Sequence, residues 1–359
     1  MARDGTEGVK RVLLVKTSSL GDVIHLLPAV TEAKAVRPEL CIDWLVEEAF
    51  AEVPAWHRGV SRVIPVGFRR WRGRRLAMLR SPEWATLRAE LRGHRYDRVI
   101  DAQGLIKSVF LAWQARGRRS GFAAGSAREP LASVGYRQRI RVPKGLHAVE
   151  RLRRLLAAAL GYVVGESPPD YGLGERLATV PLAERRDSLL LLHGTTWANK
   201  AWPEPHWAEL GRRAVAAGVG VELPWGTESE RLRAERIAEG CGGEVLPRAS
   251  LTDLLERMAR SRAVVGVDSG LVHLAAAADV PGVALFGPTD PALTGPWGGR
   301  LEHLTADLGC APCGRRACRS AEPVRMAGGT ALEPPCLASL TPDRVWQALA
   351  PRLVGERAA

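Results

Sequence analysis

Residues 11–30 read RVLLVKTSSLGDVIHLLPAV and contain the pattern that decides the fold. Residues 12–15 are a short, wholly apolar run, which is typical of a strand buried on both faces of a parallel sheet. A polar loop follows, and from Gly21 onward apolar residues recur at the spacing of an amphipathic helix. The order strand, tight loop, helix predicts the first unit of a doubly wound α/β domain.

The same alternation recurs along the rest of the chain. Short apolar runs predict further strands at residues 42–46, 63–66, 99–102, 189–193, 219–223, 245–247, 263–267 and 283–286. Helical patterns lie between them, around 84–91 and 148–160, and from residues 204, 228, 252 and about 270. Residues 165–170, which include two adjacent prolines, are the predicted linker. We therefore predict two Rossmann-like domains, residues 1–168 and 169–340, followed by a C-terminal helix within 341–359 that packs back on the first domain.

Length and composition support two globular domains. The chain has 359 residues, of which 46% are hydrophobic and 25% charged, and a domain takes about 100–200 residues. No segment approaches the roughly 18 consecutive apolar residues that a membrane span requires. The first eight residues lack the apolar core of a signal peptide, so we predict a cytoplasmic protein.

Positive charge is concentrated in the first half of the sequence. Residues 1–165 carry 30 basic and 15 acidic side chains, whereas residues 166–359 carry 21 and 24. The densest run, residues 69–80, includes Arg69, Arg70 and Arg72 and contains no acidic residue. Guanidinium groups bind carboxylates and phosphates in bidentate fashion, which favours an anionic ligand, a nucleic acid or an anionic membrane surface as partner. The structural alternative is an Arg-biased genome that places Arg at ordinary surface positions.

Two loops of the second half are candidates for binding phosphate. Asp268, Ser269 and Gly270 lie between an apolar strand and a strong helix former, where free backbone N–H groups and a hydroxyl would bind an anion. The loop at residues 193–196 reads HGTT and is followed by Lys200, whose ammonium would neutralise a leaving phosphate. For the second loop the alternative is an ordinary helix cap.

Several nucleotide-binding motifs are missing. The sequence has no G-x-G-x-x-G after a strand and no G-x-x-x-x-G-K-[ST], which argues against a dinucleotide dehydrogenase and a P-loop NTPase. It also has no D-x-D pair of the kind that would hold a divalent metal against a sugar diphosphate. We therefore expect phosphate chemistry without Mg²⁺.

The corresponding loop of the first half, KTSSLGD, ends in Asp22. A carboxylate at a helix start is usually a capping residue with a low pKa. At the carboxyl end of the first strand it would instead face the phosphate loops across the cleft between the two domains.

Together these motifs resemble the heptosyltransferase I family of lipopolysaccharide-building enzymes. The resemblance rests on VLLVKTSSLGDVIHLLPAV, WLVEEAF, VIDAQGLIKS, AREPLAS, HAVERLRRLLAAALGY, HGTTWANKAWPEPHW, LPWG and VDSGLVHLAAAADVPGVALFGPTDP, in that order. It implies an α/β glycosyltransferase B fold, with two Rossmann-like doubly wound domains facing across a cleft. The first would bind the acceptor, Kdo2-lipid A, and the second the donor, ADP-heptose. The implied reaction is an inverting transfer of heptose to the first Kdo, with no metal or other cofactor in catalysis.

The resemblance also implies roles for individual residues and a location. Asp22 would be the catalytic base. Donor-binding residues would be Thr195, Thr196, Lys200, Glu230, Asp268, Ser269, Gly270 and His273. Acceptor-binding residues would be Ser19, Arg69, Arg70, Arg72, Gln103 and Arg128. The enzyme would lie on the anionic cytoplasmic face of the inner membrane of a Gram-negative bacterium, with no nucleic-acid partner. Ser269 stands where the family has Thr, which keeps the hydroxyl.

Four cysteines near the end of the chain form a C-x2-C-x4-C-x17-C pattern, Cys310, Cys313, Cys318 and Cys336. Four thiolates at such spacing suit a structural Zn or Fe ion, and unligated thiols and a disulfide are the alternatives. This pattern is not expected in heptosyltransferase I and resembles other members of the wider heptosyltransferase family. Transfer of a second heptose, or of heptose to a protein, is therefore an alternative function. A non-catalytic nucleic-acid binder is a further alternative, against which the aromatic content of 6% argues.

Overall fold

The protein is represented by a computed structural model that describes residues 8–71, 73, 75–180, 186–319, 324–325 and 331–354. The chain forms two compact units, Met1–Leu173 and Gly174–Ala359. The boundary therefore lies a little beyond the sequence-predicted position after residue 168.

The first unit is built on a six-stranded, all-parallel sheet. Its strands are β1 (Arg11–Val15), β2 (Cys41–Glu47), β3 (Val60–Val66), β4 (Arg95–Asp101), β5 (Arg116–Phe122) and β6 (Gln138–Ile140). Its helices are α1 (Leu20–Ile24), α2 (Leu27–Val36), α3 (Glu52–Ala55), α4 (Arg75–Met78), α5 (Pro82–Gly93), α6 (Ile106–Ala112) and α7 (Ala148–Leu160), with 3-10 turns at Glu48–Phe50 and Pro130–Gly135. The strand order is β3-β2-β1-β4-β5-β6. The chain adds β2 and β3 on one side of β1 and β4 to β6 on the other, so the order reverses between β1 and β4 while all strands stay parallel.

The sequence pattern explains the position of β1 at the centre of this sheet. Val12, Leu13, Leu14 and Val15 are all fully buried, because helices cover both faces of the sheet. Strand β5 has the sequence RGRRSGF and alternates exposed and half-buried residues before three buried ones. Apolar periodicity does not predict such a strand, and it was missing from the sequence analysis.

The second unit repeats the architecture. Its main strands, all parallel, are β7 (Arg186–Leu192), β8 (Gly220–Leu223), β9 (Glu244–Val245), β10 (Ser261–Val267), β11 (Gly282–Phe286) and β12 (Leu301–Thr305), and β13 (Val324–Arg325) and β14 (Ala331–Leu332) form a small antiparallel pair. Its helices are α8 (Gly174–Ala178), α9 (Glu204–Ala216), α10 (Glu228–Cys241), α11 (Leu251–Arg260), α12 (Gly270–Ala277), α13 (Pro291–Thr294), α14 (Pro335–Ala338) and α15 (Pro342–Val354), with a 3-10 turn at Ala198–Lys200. The order β12-β11-β10-β7-β8-β9 reverses between β7 and β10.

The last helix, α15, belongs to the core of the second unit. Val345, Leu349 and Leu353 are buried with residues of β10 and β11, and α15 also contacts α9. These three residues form an apolar stripe that packs on the second sheet. Packing of the same helix on the first domain stays a prediction.

Among the described residues, no helix has both the length and the apolar character of a membrane span.

Candidate active site

Each sheet presents a pair of loops at the point where its strand order reverses. In the first unit, the loops after β1 and β4 leave the carboxyl ends of neighbouring strands. In the second unit, the loops after β7 and β10 do the same. Ligands of open α/β sheets bind at this kind of position, so each unit has one candidate site.

Asp22 anchors the first of these loops. Its Oδ2 accepts hydrogen bonds of 2.9 Å from both the backbone N–H and the hydroxyl of Ser19, which closes a capping box on α1. Its Oδ1 lies 3.3 Å from the Nζ of Lys16. About a third of the side chain, 33%, remains exposed. Asp22 is therefore both a helix cap and an accessible carboxylate at the end of the central strand.

The surroundings of Asp22 keep it ionised. Burial raises its pKa, but the Lys16 ammonium, the two hydrogen bonds from Ser19 and the nearby His25 outweigh burial. The net result is a pKa well below the usual value for Asp. The carboxylate is thus ready to accept a proton at neutral pH, although it is a weaker base than an unperturbed one.

Gln103 holds the same loop in place from the neighbouring strand. Its Oε1 accepts from the backbone N–H groups of Thr17 and Ser18 at 3.0 and 3.2 Å, and its Nε2 donates to the Ser18 carbonyl at 2.5 Å. Asp101 in turn accepts from the Gln103 backbone N–H at 2.8 Å. These contacts make Gln103 a positioning residue for the loop, and its role in acceptor binding stays a prediction.

Lys107 is a candidate site residue that the sequence analysis missed. Its Nζ donates to the Ser18 hydroxyl at 3.2 Å. Burial lowers its pKa, and its charge also interacts with Glu47, Arg69, Arg128 and Asp22. The sequence feature that could have identified Lys107 is its position four residues after Gln103, near the start of a helix that begins at the carboxyl edge of the sheet.

The predicted acceptor arginines fall into different environments. Arg69 places its guanidinium 4.6 Å from the centre of the Phe50 ring, and Arg128 is exposed. Arg70 instead forms ion pairs with Glu48 at 2.7 Å and Glu83 at 3.2 Å. Arg72 lies outside the described residues. The charge of Arg70 is therefore balanced within the protein, while Arg69 and Arg128 remain better placed to bind an anion.

In the second unit, Ser269 is the N-cap of the eight-residue helix α12, which begins at Gly270. Its Oγ is buried and has no hydrogen-bond partner among the described residues, and it makes no cap bond to the helix. The helix start also offers backbone N–H groups that have no partner within the helix. A buried hydroxyl without a partner beside these donors matches the needs of a bound phosphate oxygen.

Lys200 lies beside this helix start. Its Nζ is 2.5 Å from Asp268 Oδ2 and 4.3 Å from the centre of the Trp197 ring. The Thr289 hydroxyl also donates to Asp268, at 2.5 Å. Both charged side chains are largely buried, with 14% and 8% exposed. Asp268 thus positions Lys200, which keeps further N–H donors for a ligand.

The remaining donor-site candidates lie in the loop after β7 and in helices α10 and α12. Thr195 and Thr196 are half-buried or exposed after β7, and His273 is buried within α12. Glu230 Oε2 accepts from the backbone N–H groups of Gly226 and Thr227 and closes a capping box on α10. A Cβ at Gly194 would lie only 2.7 Å from Glu230 Oε1, so a larger residue there would displace the Glu230 carboxylate. Glu230 therefore shapes this loop as well as its own helix.

The four clustered cysteines line one cavity of about 230 Å³. In the part of the chain that the structure describes, no group of three or more His, Cys, Asp or Glu side chains is arranged to hold a metal ion. All six cysteines are free thiols. Burial raises the pKa of Cys336 to about 11, and the other three thiols add to the shift. Among the described residues, the structural Zn or Fe ion predicted from the cysteine spacing finds no support.

Several known proteins are similar to this chain in both sequence and fold. Glycosyltransferase family 9 (heptosyltransferase) matches residues 84–323. The chain is 49% identical to lipopolysaccharide heptosyltransferase 1 of Pseudomonas aeruginosa over 341 residues, covering 93% of this chain and 96% of that protein. The E. coli heptosyltransferase WaaC with ADP-2-deoxy-2-fluoro heptose has a TM-score of 0.78 and 40% identity, covering 94% of this chain and 98% of that one. The same enzyme with ADP has a TM-score of 0.76 and 44% identity, covering 82% and 92%.

Two Rossmann-like units with loops at both strand-order reversals define a glycosyltransferase of the B fold, which confirms the predicted fold class. The chain belongs to glycosyltransferase family 9, the heptosyltransferases. It is therefore an enzyme, and the alternative of a non-catalytic nucleic-acid binder is set aside.

Proposed function

We propose that this enzyme transfers L-glycero-D-manno-heptose from ADP-heptose to the first Kdo of Kdo2-lipid A, with inversion and without a metal ion in catalysis. The observation that carries the proposal is the chemistry of the two loop pairs. One holds an ionised, accessible carboxylate, and the other holds a cation next to an unsatisfied hydroxyl at a helix start. An inverting transfer needs one group of each kind.

On the acceptor side, Asp22 takes the proton from the attacking Kdo hydroxyl as the new bond to the anomeric carbon forms. Gln103 and Lys107 hold the loop of Ser18 and Ser19, which fixes the carboxylate. Arg69, Arg128 and Lys107 provide the positive charge that Kdo carboxylates and lipid A phosphates require.

On the donor side, the α12 start, Ser269 and Lys200 bind the diphosphate of ADP-heptose. Negative charge develops on the diphosphate as the glycosidic bond breaks and the sugar gains oxocarbenium character. The Lys200 ammonium, preorganised by Asp268, stabilises that charge.

Acceptor preference distinguishes this function from transfer of a second heptose. We expect the enzyme to add heptose to Kdo2-lipid A and not to Kdo2-lipid A that already carries the first heptose. Mass spectrometry of parallel reactions with the two acceptors measures this. A preference for the heptosylated acceptor would assign the enzyme to the second step instead.

Arg128→Ala should raise the KM for Kdo2-lipid A by about tenfold or more, because the lost charge-assisted hydrogen bond is worth about 1.5–3 kcal/mol. Its KM for ADP-heptose should hardly change. Arg70→Ala is the matched control, since its guanidinium is already paired with Glu48 and Glu83. Steady-state kinetics with each substrate varied provides the measurement. Equal effects of the two variants would show that Arg128 contributes only to net charge.

We also propose that the first unit docks on the anionic cytoplasmic face of the inner membrane. Four large apolar side chains are exposed on α6, the residue that follows it and the 3-10 turn Pro130–Gly135. They are Ile106, Trp113, Leu131 and Val134, with exposures of 54%, 53%, 72% and 69%. The two elements touch, as the Trp113 Nε1 donates to the Gly135 carbonyl at 3.2 Å. An exposed apolar patch with Trp and neighbouring Arg is typical of a membrane-facing surface.

Leu131→Asp combined with Val134→Asp should weaken binding to phosphatidylglycerol vesicles by about tenfold or more, because both side chains lose apolar burial in the interface. Val163→Asp is the matched control, since Val163 is 89% exposed elsewhere on the same unit. Vesicle sedimentation measures the bound fraction. If the double variant binds vesicles as tightly as the control, this face is not the docking surface.

A further inference from the structure

A large pocket lies at the edge of the first sheet opposite the candidate active site. It has a volume of about 690 Å³ and is formed where β4 and β5 begin, beside the residues that precede β1 and β6. The strands are parallel, so their amino ends share this edge and the Asp22 loop lies at the other. None of the residues that we propose for heptose transfer lines this pocket.

Six arginines line the pocket, at Arg95, Arg98, Arg116, Arg118, Arg119 and Arg137. The parallel pairing of β4 with β5 brings them together, since Arg95 pairs with Arg116 and Arg98 with Arg118 in the sheet register. The Arg137 backbone N–H donates to the Arg119 carbonyl at 3.0 Å, so Arg137, just before β6, lies next to the arginines of β5. Strand pairing therefore brings all six arginines to one edge of the sheet.

The protein balances only part of this charge, through the interaction of Asp97 with Arg98 and Arg95. The one carboxylate of the lining, Asp97, accepts hydrogen bonds of 2.9 Å from the backbone N–H groups of Lys10 and Arg11. Arg98 donates to the carbonyl oxygens of Ala159 and Asp97. Within the described part of the chain, the other five lining arginines form no ion pair, although most arginines of the second unit do.

One of the five also has a buried donor without a partner. The Nε of Arg119 is shielded from solvent and makes no hydrogen bond within the described residues. An unsatisfied buried N–H is costly unless a ligand accepts from it. Arg119 is half-buried, whereas Arg95, Arg116, Arg118 and Arg137 are exposed and free to close on a ligand.

We propose that this pocket is a second anion site, which binds a ligand that carries two or more closely spaced phosphate groups. One guanidinium group binds a phosphate through two parallel hydrogen bonds. Several guanidinium groups without an ion-pair partner in one cavity therefore favour a polyanion over a single phosphate. The volume suits a small phosphorylated group. Such a group is supplied either by a soluble polyphosphate compound or by phospholipid headgroups at a bilayer surface.

Calorimetric titration with inorganic triphosphate tests the site. ADP is kept at saturation so that the candidate donor site is blocked. We expect binding to the wild type, and an increase in Kd of about tenfold or more in the Arg116→Gln/Arg118→Gln variant. Arg88→Gln/Arg92→Gln is the matched control, because it removes the same charge from exposed positions on α5 of the same unit. The control should bind within about twofold of the wild type.

A second arm identifies the source of the phosphate. If the headgroups of a bilayer are the ligand, phosphatidylglycerol vesicles bind the wild type, triphosphate displaces them, and the Arg116→Gln/Arg118→Gln variant loses vesicle binding. If the ligand is soluble, that variant loses triphosphate binding and retains vesicle binding. The proposal is overturned if the wild type binds neither probe, or if the control variant loses as much affinity as the pocket variant. None of these readouts depends on heptose transfer.

Discussion

Asp22→Asn should lower kcat by about 10²–10⁴, the contribution of a positioned general base. The amide oxygen can still accept from the Ser19 N–H and hydroxyl, so the capping box on α1 is preserved. The amide cannot take up a proton from the acceptor hydroxyl. Affinity for ADP-heptose and the melting temperature should therefore hardly change, while single-turnover transfer slows.

A matched control exists in α11. Asp253 closes the same kind of capping box, accepting from the N–H and hydroxyl of Ser250 at 3.1 and 2.8 Å. Asp253→Asn makes the same chemical change away from the proposed reaction and should leave kcat within about twofold. If Asp22→Asn behaves like Asp253→Asn, Asp22 is a cap and not the base.

The lowered pKa of Asp22 adds an expected pH dependence. A carboxylate whose pKa lies below the usual value of about 3.9 stays ionised, so its protonation should not reduce kcat/KM between about pH 5 and pH 8. A loss of kcat/KM in this range that disappears in Asp22→Asn would show that the pKa is raised in the working enzyme.

Lys200→Met should lower kcat by about 10²–10³, because the developing charge on the diphosphate loses its cation. The variant should also be less stable by about 3–5 kcal/mol, because Asp268 is left buried without its partner. Chemical denaturation and single-turnover kinetics measure the two effects separately.

The double variant Lys200→Met/Asp268→Asn separates structure from catalysis. Removing the buried negative charge should restore most of the lost free energy of unfolding, and turnover should remain low. If turnover recovers together with stability, Lys200 serves only to neutralise Asp268.

Local patterns were sufficient to predict the central strands. Strands β1, β4, β7, β10 and β11 contain apolar runs that are visible in the sequence, because parallel strands are buried on both faces. The Arg-rich β5 and the edge strands β6 and β12 lack such runs, and none of the three was predicted.

The residues of the candidate site also fall into those that the sequence could indicate and those whose role only the fold shows. Asp22, Lys200 and Ser269 could be proposed as site residues from the sequence because each follows a predicted strand, where ligands of α/β sheets bind. The roles of their neighbours depend on contacts between distant segments. Lys200 and Asp268 are 68 positions apart, and Gln103 holds a loop some 85 positions earlier in the chain. Only the folded chain shows that Gln103 positions a loop and that Glu48 and Glu83 neutralise Arg70.

The most direct test of the central claim is a transfer reaction with purified enzyme, ADP-heptose and Kdo2-lipid A. Mass spectrometry should show one heptose added to the lipid and one ADP released for each heptose transferred. The reaction should proceed in the presence of EDTA. Release of ADP without a heptosylated lipid, or no reaction with a folded enzyme, would contradict the account.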